Sequence, residues 1–543
     1  MLRSSGWRGG TACSIRAKPL CTGFCPRHGG ASRQSGEVPV NSTRDFAIWL
    51  EAAQPTSLDA LFTTAALKHP TRVALVDSPH RCRFADGPPR HLTYAAADRI
   101  VEAIARRLRH LGLPRQSVVG IQCPNGVESV LSLLAVLRAG YVPALLPLLW
   151  RRSEAAEALG LIGAKVIIAA GRIAGENLCN VALATAVDVF SIRYVCGFGD
   201  TVPDGVIPLQ ELFTADRIDP ASPVATEDRT AEIAAVTWET TAQAKIPVAR
   251  THAQLLAAGG AVALETQLPQ AARILTLLGL SSCAGLACAL VPWLLCGGTL
   301  LLHQGFAVPA FSEQICEYGC DAVVAPAPII PELAAEGLLP APPCGLLAVW
   351  YAPERAVSGP RWRDARFRLI DVYAFGEIGL VPVQRKTDAP ACFTIGPATG
   401  ARALAVSEIT RTRSGTLAMR GPMVPVRPFV AHGTARLPVE AGDFVDTGYP
   451  CRVDGWTGEV MIGGPPAGLI NVGGYRFAQR GLQELLGPAG PGVSLAALPD
   501  RLLSHRLVGN APDREAAQTA LARHGANALV VSAFRERRRP RAA

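Results

Sequence analysis

From Leu92 onward the apolar positions recur with a helical period. Thr93 can cap a helix whose Ile100, Ile104, Leu108 and Leu111 share one face, and Gly112 with Pro114 closes it. The continuous run "SVVGIQ" reads as a buried strand. After the turn "CPNG" a second helix ends at Arg138-Ala139-Gly140, and "YVPALL", "SEAAEALGLIGA" and "KVIIAA" continue as strand, helix and strand. Alternation at such short spacing predicts right-handed crossovers and a largely parallel sheet. A second alternating block runs from about Ala231 to Val383, with strands expected at "IAAVTW", "RILTLLGL", "GGTLLLH", "DAVVAP" and "GLLAVWYA". Beyond Phe393 Gly, Thr and Val dominate and predict a β-rich part up to about Gly464, where "GGPPAG" punctuates the chain.

Composition narrows this picture without changing it. A chain of 543 residues that is 49% hydrophobic and 18% charged is too large for one core and too apolar for disorder. The charge of +9 arises partly from an Arg-bearing leader and the terminal "RERRRPRAA", so nucleic-acid binding is not implied. Ile274 to Leu302 carries no charge, but Gly279, Gly285, Pro292 and the Gly297-Gly298 pair break it into strand, helix and strand, so a buried core is expected rather than a transmembrane segment. Fifteen cysteines are scattered through apolar runs and read mostly as reduced core residues. Cys21, Cys25 and His28, and the pair Cys316 and Cys320, lack a complete zinc spacing. Residues 1–56 form a leader expected to be poorly ordered, either transit-type or upstream of a later start, and the body is expected to be cytoplasmic.

The candidate chemistry begins at "TWETTAQAKIPVARTH", Thr237 to His252. With "LTYAAADRIVEAIARRLRHLGL" and "VVGIQCPNGVESVLSLLAVLRAGYVPALLPL", it follows an order of signals that resembles the adenylate-forming ligase superfamily, the AMP-dependent acyl-CoA synthetases and ligases, over roughly Ser57 to Leu486. The resemblance implies an α/β fold. A large N-terminal domain (57–464) would hold two α/β sheet subdomains and a β-rich subdomain; a small, truncated α+β C-terminal domain with a basic tail (465–543) would follow. It also implies ATP and Mg²⁺, activation of a small carboxylic acid as acyl-adenylate, and transfer to a thiol of CoA or of a carrier protein's phosphopantetheine.

Carried over residue by residue, the resemblance puts Thr237, Thr240, Thr241 and Lys245 on the polyphosphate loop. Such a loop needs close backbone approach, yet Trp238, Glu239, Ala242 and Ile246 replace its Ser and three Gly. Glu239 brings negative charge toward a triphosphate, a repulsion of about 1–4 kcal/mol per charge pair near 4 Å. In "VYAFGEIGL" Tyr373 would stack on adenine and Glu377 would hold the metal, with Gly376 where a Thr hydroxyl belongs. In "GDFVDTGYPCRVD" Asp446 and Arg452 match nucleotide-binding positions, but Tyr449 replaces the ribose-binding Asp. Ser282 stands in place of a His beside Gly285 in the expected substrate pocket. Gly473, Gly474 and Tyr475, followed by Arg476, match the hairpin of the thiol tunnel.

Pro465-Pro466 replaces the hinge, and no lysine follows Lys386, so no residue is assigned as the catalytic lysine. Losing such a stabiliser costs about 10²–10³ in rate. Two functions are therefore expected as alternatives. One is a divergent ligase using Thr240, Thr241, Lys245, Glu377 and Arg452. The other is a non-catalytic module that binds an acyl group, a carrier protein or a partner enzyme. A decaying product without a specific role is the third option.

Overall fold

The computed structural model describes residues 57–214, 228–359, 361–362, 364–397, 407–427, 429 and 436–535. The leader and the basic tail lie outside the described residues.

The two alternating blocks build two sheets, but they exchange strands. A seven-stranded sheet holds Val118–Gln122, Val142–Leu145, Val166–Ala169, Tyr194–Gly197 and Val206–Pro208, all parallel. Its far edge is β1 (Ile233–Thr240) and β2 (Lys245–Thr251), an antiparallel hairpin whose β1 lies parallel to Val142–Leu145 with Val236 opposite Ala144. The expected strand "IAAVTW" thus completes the first sheet rather than opening the second.

Conversely, Val73–Val76 and His91–Thr93, which precede the first block, join the eight-stranded second sheet beside Thr299–Leu302. That sheet is parallel through Arg273–Thr276, Ala322–Pro326, Gly345–Trp350 and β3 (Arg368–Phe375), with an antiparallel strand at each end. The run "RILTLLGL" yields a strand only to Thr276, because the Thr276 hydroxyl accepts from Leu278 N at 3.0 Å and turns the chain.

A five-stranded antiparallel sheet follows, containing β4 (Val445–Val453). The small C-terminal unit is a four-stranded antiparallel sheet with β5 (Leu469–Val472) and β6 (Tyr475–Ala478), packed by the helices Gln479–Leu485, Arg514–His524 and Ala528–Ser532. Its own core includes Phe477, Leu521, Val530 and Phe534. No helix among the described residues is long and apolar enough to cross a membrane.

Candidate functional site

The expected phosphate loop is the β1–β2 hairpin. Thr240 pairs with Lys245, and Thr241 to Ala244 close the turn. Thr241 N donates to Ala244 O at 2.9 Å. The Thr241 hydroxyl donates to the same carbonyl at 3.0 Å and accepts from Gln243 N at 3.3 Å and Ala244 N at 3.1 Å. Donors that a phosphate cradle would aim outward are consumed inside the turn, the usual behaviour of a threonine offered nearby backbone.

Two of the residues that stand where the resemblance expects Ser and Gly, Trp238 and Ile246, are packing residues. Trp238 is buried, donates its indole N–H to Leu145 O at 3.0 Å and meets Trp150 at 5.6 Å between ring centroids. Ile246 is buried as well. Lys245 pairs with Glu157 and lies 5.7 Å from the Trp150 ring centroid. Thr237 is buried and accepts from Arg250 Nη1 at 3.2 Å.

Glu239 points the other way, into a charge network drawn from distant segments. Its Oε1 lies 2.6 Å from Arg476 Nη1 of β6, and its Oε2 accepts from Glu377 N at 2.5 Å. Arg476 Nη2 donates to the Tyr449 hydroxyl of β4 at 2.5 Å, with the guanidinium 5.2 Å from that ring's centroid. Burial works against the charge of Arg476, but Tyr449, Glu239 and Glu377 outweigh it and hold the pKa above the ordinary arginine value. Burial likewise pushes the Tyr449 phenol up to about 12, so it stays a neutral acceptor.

Gly376, with φ +60°, leaves the space this network fills. A Cβ there would lie 2.1 Å from Glu239 Oε2 and 2.3 Å from Arg476 Nη1.

Glu377 is held from the opposite side. Its Oε2 accepts from Cys283 N at 2.7 Å and stands 3.8 Å from Arg250 Nη1, while Arg250 Nη2 donates to the Glu377 carbonyl. Burial raises its carboxyl above the usual carboxylate range, opposed by Arg250, Thr237 and the Cys283 amide. Among the described residues no group of three or more His, Cys, Asp or Glu is placed to hold a metal ion.

Two clefts flank this network. A cavity of about 330 Å³ is lined by Ser282, Thr240, Glu239, Glu377, Gly473, Gly474, Tyr475 and Arg476, with apolar walls from Trp150, Trp238 and Tyr351. A wider cleft of about 920 Å³ lies beyond the hairpin turn, bordered by Thr240, Thr241, Lys245, Tyr475 and Arg480.

Of the other sequence candidates, Tyr373, Asp446, Arg452 and Gly285 line neither cleft. Tyr373 is buried against Phe393 at 5.1 Å between centroids and donates its hydroxyl to Ala391 O. Asp446 accepts from Thr416 Oγ1 at 2.9 Å and from Gly448 N at 2.8 Å. Arg452 is exposed on β4. Gly285 permits a close approach, because a Cβ there would meet Gly279 O at 2.0 Å. Ser282 caps the following helical segment, accepting from Gly285 N at 3.1 Å.

Arg250 and the central role of Arg476 escaped the reading of the sequence. The available signal was Glu239 itself: a buried carboxylate on an interior strand requires a cation.

A sequence model described as AMP-binding enzyme matches residues 62–424. Salicyl-AMP ligase / salicyl-S-ArCP synthetase of Mycobacterium tuberculosis is 29% identical over 149 residues, 27% of this chain and 25% of that protein. The chain's match thus spans about a quarter of that curated relative's length. The apo structure of MbtA from Mycobacterium smegmatis superposes with a TM-score of 0.62 at 21% identity, covering 91% of this chain and 93% of that one. A double mutant of o-succinylbenzoate CoA synthetase (MenE) from Bacillus subtilis gives 0.65 at 17%, covering 87% and 92%. At these identities the structural likeness speaks for the fold alone.

Proposed function

The chain belongs to the AMP-binding enzyme family, and on that premise we propose that it binds a small acyl group without adenylating it. The observation that supports this reading is the Glu239–Arg476–Tyr449 network, two of whose members stand where the resemblance expects nucleotide-binding residues.

Family membership carries a general expectation of ATP and Mg²⁺. The residues present do not fit that pair. Mg²⁺ seeks near-octahedral oxygen ligands and an open carboxylate. Glu377 Oε2 is already engaged by Cys283 N, Gly376 offers no hydroxyl, and Glu239 is neutralised by Arg476. Positive charge is already supplied by Arg476 and Arg250, so a further cation is disfavoured. In the hairpin turn the Thr241 hydroxyl and the Thr241, Gln243 and Ala244 amides are engaged with one another rather than offered to a phosphate.

What persists is the acyl side. The cavity of about 330 Å³ is at the lower end of small-ligand cavities, roughly 300–1,000 Å³, and two tryptophans line it. The relatives' names include salicyl and o-succinylbenzoate groups, which supports a small and partly apolar acyl chain. Gly473, Gly474 and Tyr475 form the wall along which a thiol-borne acyl group, on CoA or a carrier protein, would enter.

The test is ATP–pyrophosphate exchange with aliphatic and aryl acids, run beside calorimetric ATP titration. The expected result is no exchange and no nucleotide binding, with saturable quenching of tryptophan fluorescence by short acyl thioesters. Exchange with any acid overturns the reading. One observation favours the adenylating alternative: Thr240, Thr241 and Lys245 all border the wider cleft. Under that alternative Glu239→Gly tightens ATP.

A further inference from the structure

We infer that Glu239, Gly376, Tyr449 and Arg476 act as one clasp, which fixes the small C-terminal unit on the large one in a single arrangement. The inference concerns how the units are held together and stands whether or not an acyl group is the ligand.

Each member comes from a different element, and each is fitted to the others. Glu239 is the last residue but one of β1, Gly376 follows β3, Tyr449 lies within β4, and Arg476 is the sole contributor from the small unit. Arg476 bonds Glu239 and Tyr449 through separate nitrogens, at 2.6 and 2.5 Å. The guanidinium fork therefore spans two parts of the large unit at once. Gly376 is the spacer, since a Cβ would occupy the place of the ion pair.

The clasp sits amid further bonds that cross between the units. Ser153 Oγ donates to Gly525 O at 2.9 Å, and Asn471 Nδ2 donates to Tyr351 O at 2.7 Å. Asn527 Nδ2 donates to both oxygens of Glu154, at 3.1 and 3.0 Å. Arg501 Nη2 reaches Glu332 at 3.0 Å on the rim. Separating the units would break the buried Arg476–Glu239 pair and the Arg476–Tyr449 bond along with these contacts. Pro466, in the connector, packs against Gly448, where a Cβ would lie 3.2 Å from the Pro466 Cβ.

The experiment is a double-mutant cycle read by hydrogen exchange and by proteolysis of the connector. Gly376→Ala displaces the ion pair, so exchange in β5 and β6 should rise about tenfold, while Val118–Gln122 is unchanged. In a background that lacks both members of the pair, Glu239→Ala with Arg476→Ala, the same substitution should change exchange less than about twofold. The positive φ at Gly376 strains alanine equally in both backgrounds and cancels from the comparison. Arg476→Lys, which keeps charge but loses the fork, should reproduce the loosening without global unfolding. Equal effects of Gly376→Ala in the two backgrounds overturn the clasp; so does unchanged exchange in β5 and β6 in both Gly376→Ala and Arg476→Lys. ATP turnover enters none of these readouts, so failure here is distinguishable from failure of the acyl-binding reading.

Discussion

At position 239 a carboxylate replaces a residue type that would let backbone approach phosphate, and its energetics depend on Arg476. Removing one partner of a buried ion pair leaves an uncompensated charge and costs roughly 3–5 kcal/mol, whereas replacing both by apolar groups of similar volume can be nearly neutral. Arg476→Met alone should therefore destabilise by about 3–5 kcal/mol in urea unfolding. The double change Glu239→Leu with Arg476→Met should cost less than that single change. A larger, additive loss in the double variant would show that the two residues act separately. The motif spacing placed Thr240, Ser282, Glu377, Gly473, Gly474 and Tyr475, which line one cavity. The network was not legible. Its members are separated by up to 237 positions, from Glu239 to Arg476, and a single sequence carries no sign of which distant side chains meet.

The hairpin is the element that decides the chemistry. Apolar runs identified β1, Val118–Gln122, Val142–Leu145 and Val166–Ala169, because buried strands are continuous in hydrophobicity, but not the short Tyr194–Gly197 and Val206–Pro208 of the same sheet. They did not identify β2, whose Lys245, Pro247, Arg250 and Thr251 break the pattern. Pro247 is tolerated because β2 is the edge of its sheet. The strand exchange between sheets was equally hidden, since periodicity gives elements but not their neighbours. Within the turn, Thr241 supports the fold rather than a ligand. Thr241→Val should therefore cost about 1 kcal/mol of stability through lost turn hydrogen bonds, with no effect on any ATP binding. Unchanged stability with altered nucleotide affinity would contradict that assignment.

Across the whole molecule the two units are joined by a second buried carboxylate. Burial raises Glu154 to about 7 from an ordinary 4.5, against the lowering influences of Lys245, the Asn527 amide and the Arg151 amide, with Glu157 adding to the rise. The folded state therefore binds this proton more readily than the unfolded state between about 4.5 and 7. The contribution is stabilising at the acid end and is lost as pH rises through 7. Relative to Glu154→Gln, the native protein should lose roughly 2–3 kcal/mol between pH 5 and pH 8, measured by denaturant midpoint. His252 titrates in the opposite sense, since burial lowers it to about 4, but it is common to both proteins and cancels. A difference that does not vary with pH would place the Glu154 charge outside the interface.

The space beside Gly376 also constrains sequence change. Because a Cβ at 376 and the carboxylate at 239 compete for the same volume, at 2.1 Å, a change at one position alters the cost of a change at the other. Placing a hydroxyl-bearing residue at 376 therefore requires the Glu239 carboxylate and the Arg476 guanidinium to move from their present places. The missing side chain at 376 thus ties three positions together, and filling it while Glu239 and Arg476 are kept should give a less stable protein than the present one.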